Sequence, residues 1–290
     1  MDRHEEKLLK ALSYIESHLE TPLSTESISA HVGLSQSHFH RLFSVRFGLS
    51  LYDLIMQLRL KRAAYQLAYR QDKVIDIALG AHYQSPEAFS RAFLKVFKQS
   101  PRAFRKSPDW SAWHKKDNDL LAKRNAKMLS KQTYKVELVN CESIQIAYIE
   151  HRGNANQLGL TIQAFIAWRK ARGLSPSKSR TFNLIYHDPQ TVPPDEYRFD
   201  IACVFLDTML GPFDLTSKMK LRTIPAGRYA KIRHHGSDDD LGLAINYLYS
   251  QWLNESHRTL RDFPLFVERV RFFPDVAEHQ AITDIYLAIE

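Results

Sequence analysis

Two arginines fifty residues apart, Arg41 and Arg91, occupy the same local setting, between Phe39 and Phe43 in one case and Phe89 and Phe93 in the other. At helical spacing the phenylalanines share one face and the arginine falls away from it. A guanidinium so placed can donate two parallel hydrogen bonds to a guanine edge in a major groove, worth about 1–3 kcal/mol of discrimination. Ser35, Gln36, Ser37, His38 and His40 accompany the first arginine, and Glu87 and Ser90 the second. The competing reading is an intradomain salt bridge for each arginine. His38 and His40 do not read as a metal pair, because residues two apart on a helix point to nearly opposite sides.

The elements that must present these groups are helical. Leu8, Leu9, Leu12, Ile15 and Leu19 fall at helical spacing, and Thr21-Pro22 ends the pattern. Ser24 caps a short helix carrying Ile28 and Val32, Gly33 supplies a tight turn, and Ser35 caps a second helix with Phe39, Leu42, Phe43 and Phe47 on its apolar face. Two short helices joined at a glycine make a helix-turn-helix pattern. It recurs: Phe39, Arg41, Phe43, Phe47 and Ser50 match Phe89, Arg91, Phe93, Phe97 and Ser100 at a shift of 50, and Ile28 matches Ile77 at 49. The second copy therefore carries one extra residue in its turn. Ser85-Pro86-Glu87 starts its second helix with a cap, a proline and an acid. Between the copies, Leu51 to about Tyr69 reads as a longer helix, stiff enough to hold two recognition helices roughly 34 Å apart, one turn of DNA.

Charge follows the same division. Residues 1–135 hold 23 Lys/Arg and 13 Asp/Glu, a net +10, whereas residues 136–290 hold 17 and 19, a net −2. A basic half joined to a near-neutral half suggests a polyanion-binding domain beside something with another task, against the alternative of a merely solvated basic surface. Lys61, Arg62, Lys95, Lys98, Arg102, Arg105 and Lys106 read as phosphate contacts, which set affinity but not sequence choice.

Residues 6–106 closely resemble the AraC/XylS family of bacterial transcription regulators. The resemblance rests on Ser35-Gln36-Ser37-His38-Phe39-His40-Arg41-Leu42-Phe43, on Ile77-Ala78, on Phe89-Ser90-Arg91-Ala92-Phe93, and on Ser100-Pro101-Arg102-Ala103-Phe104-Arg105. It implies double-stranded DNA as a partner, RNA polymerase as a candidate further one, and base or backbone contacts at Ser35 to Arg41 and at Glu87, Ser90 and Arg91. One departure stands out. The family's turn glycine in the second copy is His82 here, which predicts a distorted turn and a helix that meets DNA less well.

Residues 108–133 read as a basic, partly helical linker, with Trp110 and Trp113 as anchors to a neighbouring domain. From Tyr134 the pattern becomes strand, strand, helix, strand, strand, and then the same again. Ala147, Ile149, Gly153 and Leu158 match Ala230, Ile232, Gly236 and Leu241 at a shift of 83, while Trp168, Phe182, Asp200 and Ile201 match Trp252, Phe266, Asp284 and Ile285 at 84. Such a duplication implies a pseudo-twofold domain, with a small-molecule site between its units. Strand alternation puts Phe266, Glu268, Val270 and Phe272 on one face. A lone carboxylate there needs a partner: a cationic or hydrogen-bonding amphiphile, an arginine of the same domain, or water at a strand end.

Residues 134–290 are similar to the GyrI-like effector-binding family through Ile185-Tyr186-His187-Asp188-Pro189, Arg198-Phe199-Asp200-Ile201, Ile224-Pro225-Ala226-Gly227-Arg228-Tyr229-Ala230, His235-Gly236, Leu248-Tyr249-Ser250-Gln251-Trp252 and Asp284-Ile285-Tyr286. The resemblance implies a duplicated sheet-and-helix domain that binds hydrophobic, often cationic compounds in a groove, with Glu268 as the acid. Tyr148, Phe182, Tyr186, Phe205, Tyr229 and Trp252 are the candidate lining. The family's usual tyrosine two residues after the acid is Val270 here.

The expected fold is thus two domains: an all-α double helix-turn-helix domain over 1–107, the linker over 108–133, and an α+β duplicated strand-helix-strand-strand domain over 134–290. The expected function is a sequence-specific DNA-binding transcription regulator whose second domain senses a hydrophobic or cationic small molecule. Two alternatives remain: a second domain serving as an interaction platform, or a GyrI-like hydrolase tethered to DNA. No G-x-S-x-G, H-E-x-x-H or glycine-rich phosphate loop is present. Cys203 reads as a buried thiol, His234-His235 as a turn, and Asp238-Asp239-Asp240 as the start of a helix, so neither catalysis, a metal nor a cofactor is expected. The absence of an apolar run of about 18 residues and of a signal-peptide core points to a cytoplasmic protein without a membrane partner.

Overall fold

The computed structural model describes residues 3–114, 134–189, 191–205, 218–273 and 275–290. They divide into two compact units, residues 1–131 with 273–279 and residues 132–272 with 280–290. Most of the expected basic linker, residues 115–133, lies outside the described residues.

The first unit is helical, with α1 Arg3–Ser17, α2 Thr25–His31, α3 Gln36–Phe47, α4 Leu51–Tyr69, α5 Val74–Gly80, α6 Pro86–Phe97 and α7 Pro101–Lys106 among its described residues. Serines start most of them: Ser24, Ser35, Ser50, Ser85 and Ser100 each accept a hydrogen bond from a backbone N–H in the first turn. Two cores result. Ile15, Ile28, Phe39, Phe43 and Phe47 close the first with Leu51 and Leu54, and Ile77, Phe89, Phe93, Phe97 and Phe104 close the second with Leu60 and Leu67. Helix α4, 19 residues and about 28 Å long, serves both. At its centre the buried Arg59 donates to Leu19 O (3.1 Å) and Thr21 O (2.9 Å), satisfying carbonyls where the chain leaves α1. Trp110 and Trp113 are buried against Phe97 and Phe104, so the anchors at the start of the expected linker hold to the first unit.

In the second unit eight antiparallel strands form one sheet: β1 Val136–Cys141, β2 Ile144–Arg152, β3 Thr181–Ile185, β4 Arg198–Val204, β5 Lys220–Ile224, β6 Gly227–His235, β7 Leu265–Arg271 and β8 Ile282–Ala288. Helix α8 (Leu158–Ala171) follows β2, and α9 (Leu241–Tyr247), continued by a π turn over Leu248–Trp252 and by α10 (Leu253–Ser256), follows β6. The strand order β1-β6-β8-β7-β3-β4-β2-β5 is a palindrome of two copies that exchange their first strands. The register obeys the same symmetry. At the central β3–β7 seam Phe182 faces Glu268 and Leu184 faces Phe266, pairs that interchange under the 84-residue shift. Side-chain alternation then sorts the sheet. Ala147, Ile149, Ile201 and Cys203 meet α8, and Ala230, Ile232, Val267 and Ile285 meet α9 and the turn after it. Ile146, Tyr148, Phe182, Tyr229, Phe266 and Tyr286 pack on the opposite face.

Candidate functional site

Helices α3 and α6 present matched polar faces. Phe39, Phe43 and Phe47, and likewise Phe89, Phe93 and Phe97, are buried on one side. On the other, Gln36, Ser37, His38, His40 and Arg41 are exposed, as are Glu87 and Arg91, with Ser90 half-buried. Ser35 is exposed too, but its hydroxyl is committed to capping α3 at His38 N. Among the described residues neither Arg41 nor Arg91 has an ion pair, so the internal salt bridge does not form for either.

The expected distortion of the second turn is absent. His82 adopts φ 62° against 63° for Gly33, and its neighbours repeat the hydrogen bonds of the first copy, Tyr83 N to Ala78 O (3.0 Å) answering Leu34 N to Ser29 O (3.0 Å). The extra residue, Gln84, is exposed between that turn and the cap Ser85. A second substitution follows the same rule, since Lys98 closes α6 at φ 58° where Gly48 closes α3 at 69°. The fold holds both side chains in a conformation that ordinarily favours glycine.

Three of the expected phosphate contacts are otherwise engaged. Lys61 is buried and pairs with Glu278 at 2.8 Å inside the first unit, Arg62 pairs with Glu20, and Arg105 donates to Asp72 O (2.5 Å). Helix periodicity alone could not show that Lys61 turns inward, because its partner lies 217 residues away. Lys95, Lys98, Arg102 and Lys106 are exposed.

Among the described residues of the second unit the helix-free face carries Glu137, Glu150, Asp200, Glu268 and Asp284; Glu137 pairs with Lys135 at 2.9 Å on the exposed edge strand, and Asp200, Asp284 and Glu150 are tightly held. Asp200, fully buried, accepts from Arg198 (2.8 and 3.1 Å) and from Tyr186 OH (2.8 Å). Its copy Asp284 accepts from Arg233 (2.7 and 2.8 Å) and pairs with Lys231 at 2.8 Å. Burial would raise the Asp284 pKa, but these two cations hold it below the usual carboxylate range. Glu150 pairs with Lys220 (2.6 Å) and Arg198 (2.9 Å). Glu268 differs. Its side chain is 14% exposed, its one cation among the described residues is Arg180 at 3.6 Å, and Tyr286 OH donates to it across the strand pair at a long 3.4 Å. The acid is thus bound loosely by an arginine of its own domain and by a hydroxyl from β8. Tyr286 offers the aromatic hydroxyl that Val270 lacks; Val270 itself is exposed at the bulge between Arg269 and Arg271. Alternation along β8 puts Asp284 and Tyr286 on one face, and the β7–β8 register brings Tyr286 to Glu268.

Around Glu268 the aromatic rings are contiguous. Phe266 stacks on Tyr286 at 4.9 Å, Phe182 lies 6.0 Å from Phe266, and Tyr229 lies 5.4 Å from it. Tyr148, Phe182, Tyr186 and Tyr229 all share this face with Glu268. Their exposure separates them. Phe182 and Tyr229 are the floor, the latter bonded to Pro225 O at 2.6 Å beneath Arg261. Tyr148 is 8% exposed. Tyr186 is tied to Asp200 and Arg222, and burial followed by its bond to Asp200 pushes its phenol up to about 12. Two candidates are corrected. Trp252 packs with the α9 cluster and Phe205 with the α8 cluster, both on the helix-covered side, because Phe205 continues the alternation of Ile201 and Cys203 and Trp252 lies in the π turn after α9.

The remaining sequence candidates take structural places. Cys203 is fully buried, and burial raises its thiol pKa. His234 is buried with Nε2 2.9 Å from Ser237 O. Asp238–Asp240 form a turn that Ser237 caps, and Asp240 stands at the N-cap position of α9. No cluster of metal-ligating side chains occurs among the described residues, and no described helix is long and apolar enough to cross a membrane.

Residues 134–290 match the profile of the GyrI-like small molecule binding domain, and residues 28–107 match that of a helix-turn-helix domain. The chain is 31% identical over 159 residues to the probable transcriptional regulator YgiV of Escherichia coli K12, a match covering 54% of this chain and 97% of that one. It is 37% identical over 102 residues to the Right origin-binding protein of the same organism, covering 35% of each. A solved AraC-type DNA-binding-domain protein from Chromobacterium violaceum is 33% identical, with a TM-score of 0.34, over 36% of this chain and 95% of that one.

Proposed function

The chain belongs to the GyrI-like small-molecule-binding family and carries an AraC-type helix-turn-helix domain ahead of it, and on that premise we propose a sequence-specific regulator of transcription governed by a small ligand. Helices α3 and α6 enter successive major grooves. Arg41 and Arg91 read base edges, with Ser37, His38, His40, Glu87 and Ser90 beside them, while Ser35 and Gln36 approach at the start of α3. Exposed Lys95, Lys98, Arg102 and Lys106 contact phosphates. The observation that carries this reading is the pairing of two buried phenylalanine triplets with two exposed arginines that have no ion pair among the described residues.

In the second unit the ligand is hydrophobic with a cationic or hydrogen-bonding group. It lies over the aromatic face and engages Glu268, among the described residues the one carboxylate of that face not held within 3 Å by a cation of its own unit. Its binding alters transcription only by favouring one state of the chain over another. The protein acts in the cytoplasm, without a catalytic step. The test is selection of bound sequences from random duplex DNA by the full chain, with and without lipophilic cations. An enriched motif with two half-sites about one helical turn apart is expected. Recovery of unselected sequence would sink the DNA reading, and a selection indifferent to every cation tried would sink the sensing one.

A further inference from the structure

We propose that Arg180 is a built-in stand-in for the cationic group of the ligand, so that binding is an exchange of one cation for another. This rests on the reading of Glu268 as the ligand's acid. Arg180 immediately precedes β3, and Phe182, two residues on, lies directly across the central seam from Glu268. The guanidinium therefore reaches over the seam. It stands 5.4 Å above the Phe182 ring and 3.6 Å from the Glu268 carboxylate. That is where a lipophilic cation would gain both an aromatic face and a counter-ion.

The same two contacts hold Arg180 weakly. Its side chain is 55% exposed, and 3.6 Å is beyond hydrogen-bonding distance. By contrast, Arg198 and Arg233, which neutralise Asp200 and Asp284, grip their carboxylates through two nitrogens each. Arg198 and Arg233 are thus fixed on their carboxylates, whereas Arg180 is replaceable. Arg180 prevents an uncompensated charge at Glu268 in the unliganded chain, and it sets a threshold that a neutral ligand never meets.

Titration calorimetry of the full chain with tetraphenylphosphonium, against the neutral triphenylphosphine oxide, tests this. Arg180→Gln is expected to tighten phosphonium binding about threefold and to leave the phosphine oxide unchanged. Glu268→Gln should weaken the phosphonium roughly tenfold, and adding Arg180→Gln to it should give no further gain. Circular dichroism of each variant establishes that it is folded. If Glu268→Gln weakens binding but Arg180→Gln leaves it equal or weaker, Arg180 is no competitor and the inference falls alone. If Glu268→Gln binds like the unaltered chain, the acid is not in the site and both readings fall. Failure of both the unaltered chain and Arg180→Gln to bind the phosphonium overturns both as well.

Discussion

The two units are each a duplication, but their copies have parted in opposite ways. In the helical unit the two recognition helices keep matched faces: buried phenylalanine triplets, serine caps and exposed arginines fifty residues apart. Even the left-handed turns are preserved when glycine is replaced by His82 and Lys98. In the sheet unit the strand register is retained apart from the bulge between Arg269 and Arg271, yet the chemistry is one-sided. Glu268 and Tyr286 stand where the other copy has Leu184 and Ala202. The difference follows from the partner. Duplex DNA offers a similar backbone at each turn, so two like surfaces both find use. A small molecule fills one place, so one acid suffices and a second would be buried without a partner.

The asymmetry of the sheet unit is the feature whose removal should cost most. Leu184 is fully buried and lies opposite Asp200 on β4, with Ala202 offering no hydroxyl. Leu184→Glu is therefore expected to destabilise the chain by about 4 kcal/mol in urea unfolding. A loss near zero, together with a second ligand bound per chain, would show that the copies are still interchangeable.

Equivalence of the helical copies can be broken at their arginines. Arg41→Ala and Arg91→Ala should each weaken a selected operator by about 1–3 kcal/mol while changing non-specific duplex binding much less. Equal losses on both DNAs would make the arginine a phosphate contact. A loss confined to one of them would mean that one copy reads and the other only docks.

A smaller effect distinguishes the copies' backbones. His82→Gly should raise stability by about 0.5–1 kcal/mol, since a left-handed turn strains a side chain and spares glycine. Operator affinity should not change. A drop in affinity would instead assign the exposed imidazole a contact with DNA.

The mildest test lies at a joint of the sheet unit. His151 is buried at the end of β2, its ring nitrogens 2.8 Å from Thr161 Oγ1 and 3.1 Å from Asn154 O. Burial holds its pKa below the ordinary imidazole range, partly offset by the Asn154 carbonyl. The unfolded chain then binds the proton more readily than the folded one. Its contribution is complete above about pH 6.5 and is lost as pH falls through the lower folded value. Urea midpoints should decline over that range, and His151→Gln should flatten the decline; an equal slope in the variant would place its origin elsewhere.

Much of this molecule was legible before its coordinates. Serine caps, the phenylalanine faces of α3 and α6, the extra turn residue and both repeats are local or periodic, and each is set within a few residues of chain. Alternation puts Phe266 and Glu268 on one face of β7, and Tyr148, Phe182, Tyr186 and Tyr229, candidates through the resemblance, stand on that same side of the sheet. What that pattern could not supply was which strands are neighbours. Phe205 stands on the other side with Ile201 and Cys203, as alternation along β4 requires, and Trp252 stands there because it belongs to the helical segment that covers that side.

The sequence by itself therefore determined the two duplications, the buried phenylalanine faces of α3 and α6, and the half of the chain that carries the positive charge. Tertiary structure alone decided the pairings: Lys61 turned inward to Glu278, His82 held in the geometry of a glycine, and Arg180 and Tyr286 brought to Glu268. The physical reason is range. Caps and periodic faces arise from hydrogen bonds and burial within one turn or strand. The environment of a charge is set by strand register and by contacts among residues that are far apart in the chain.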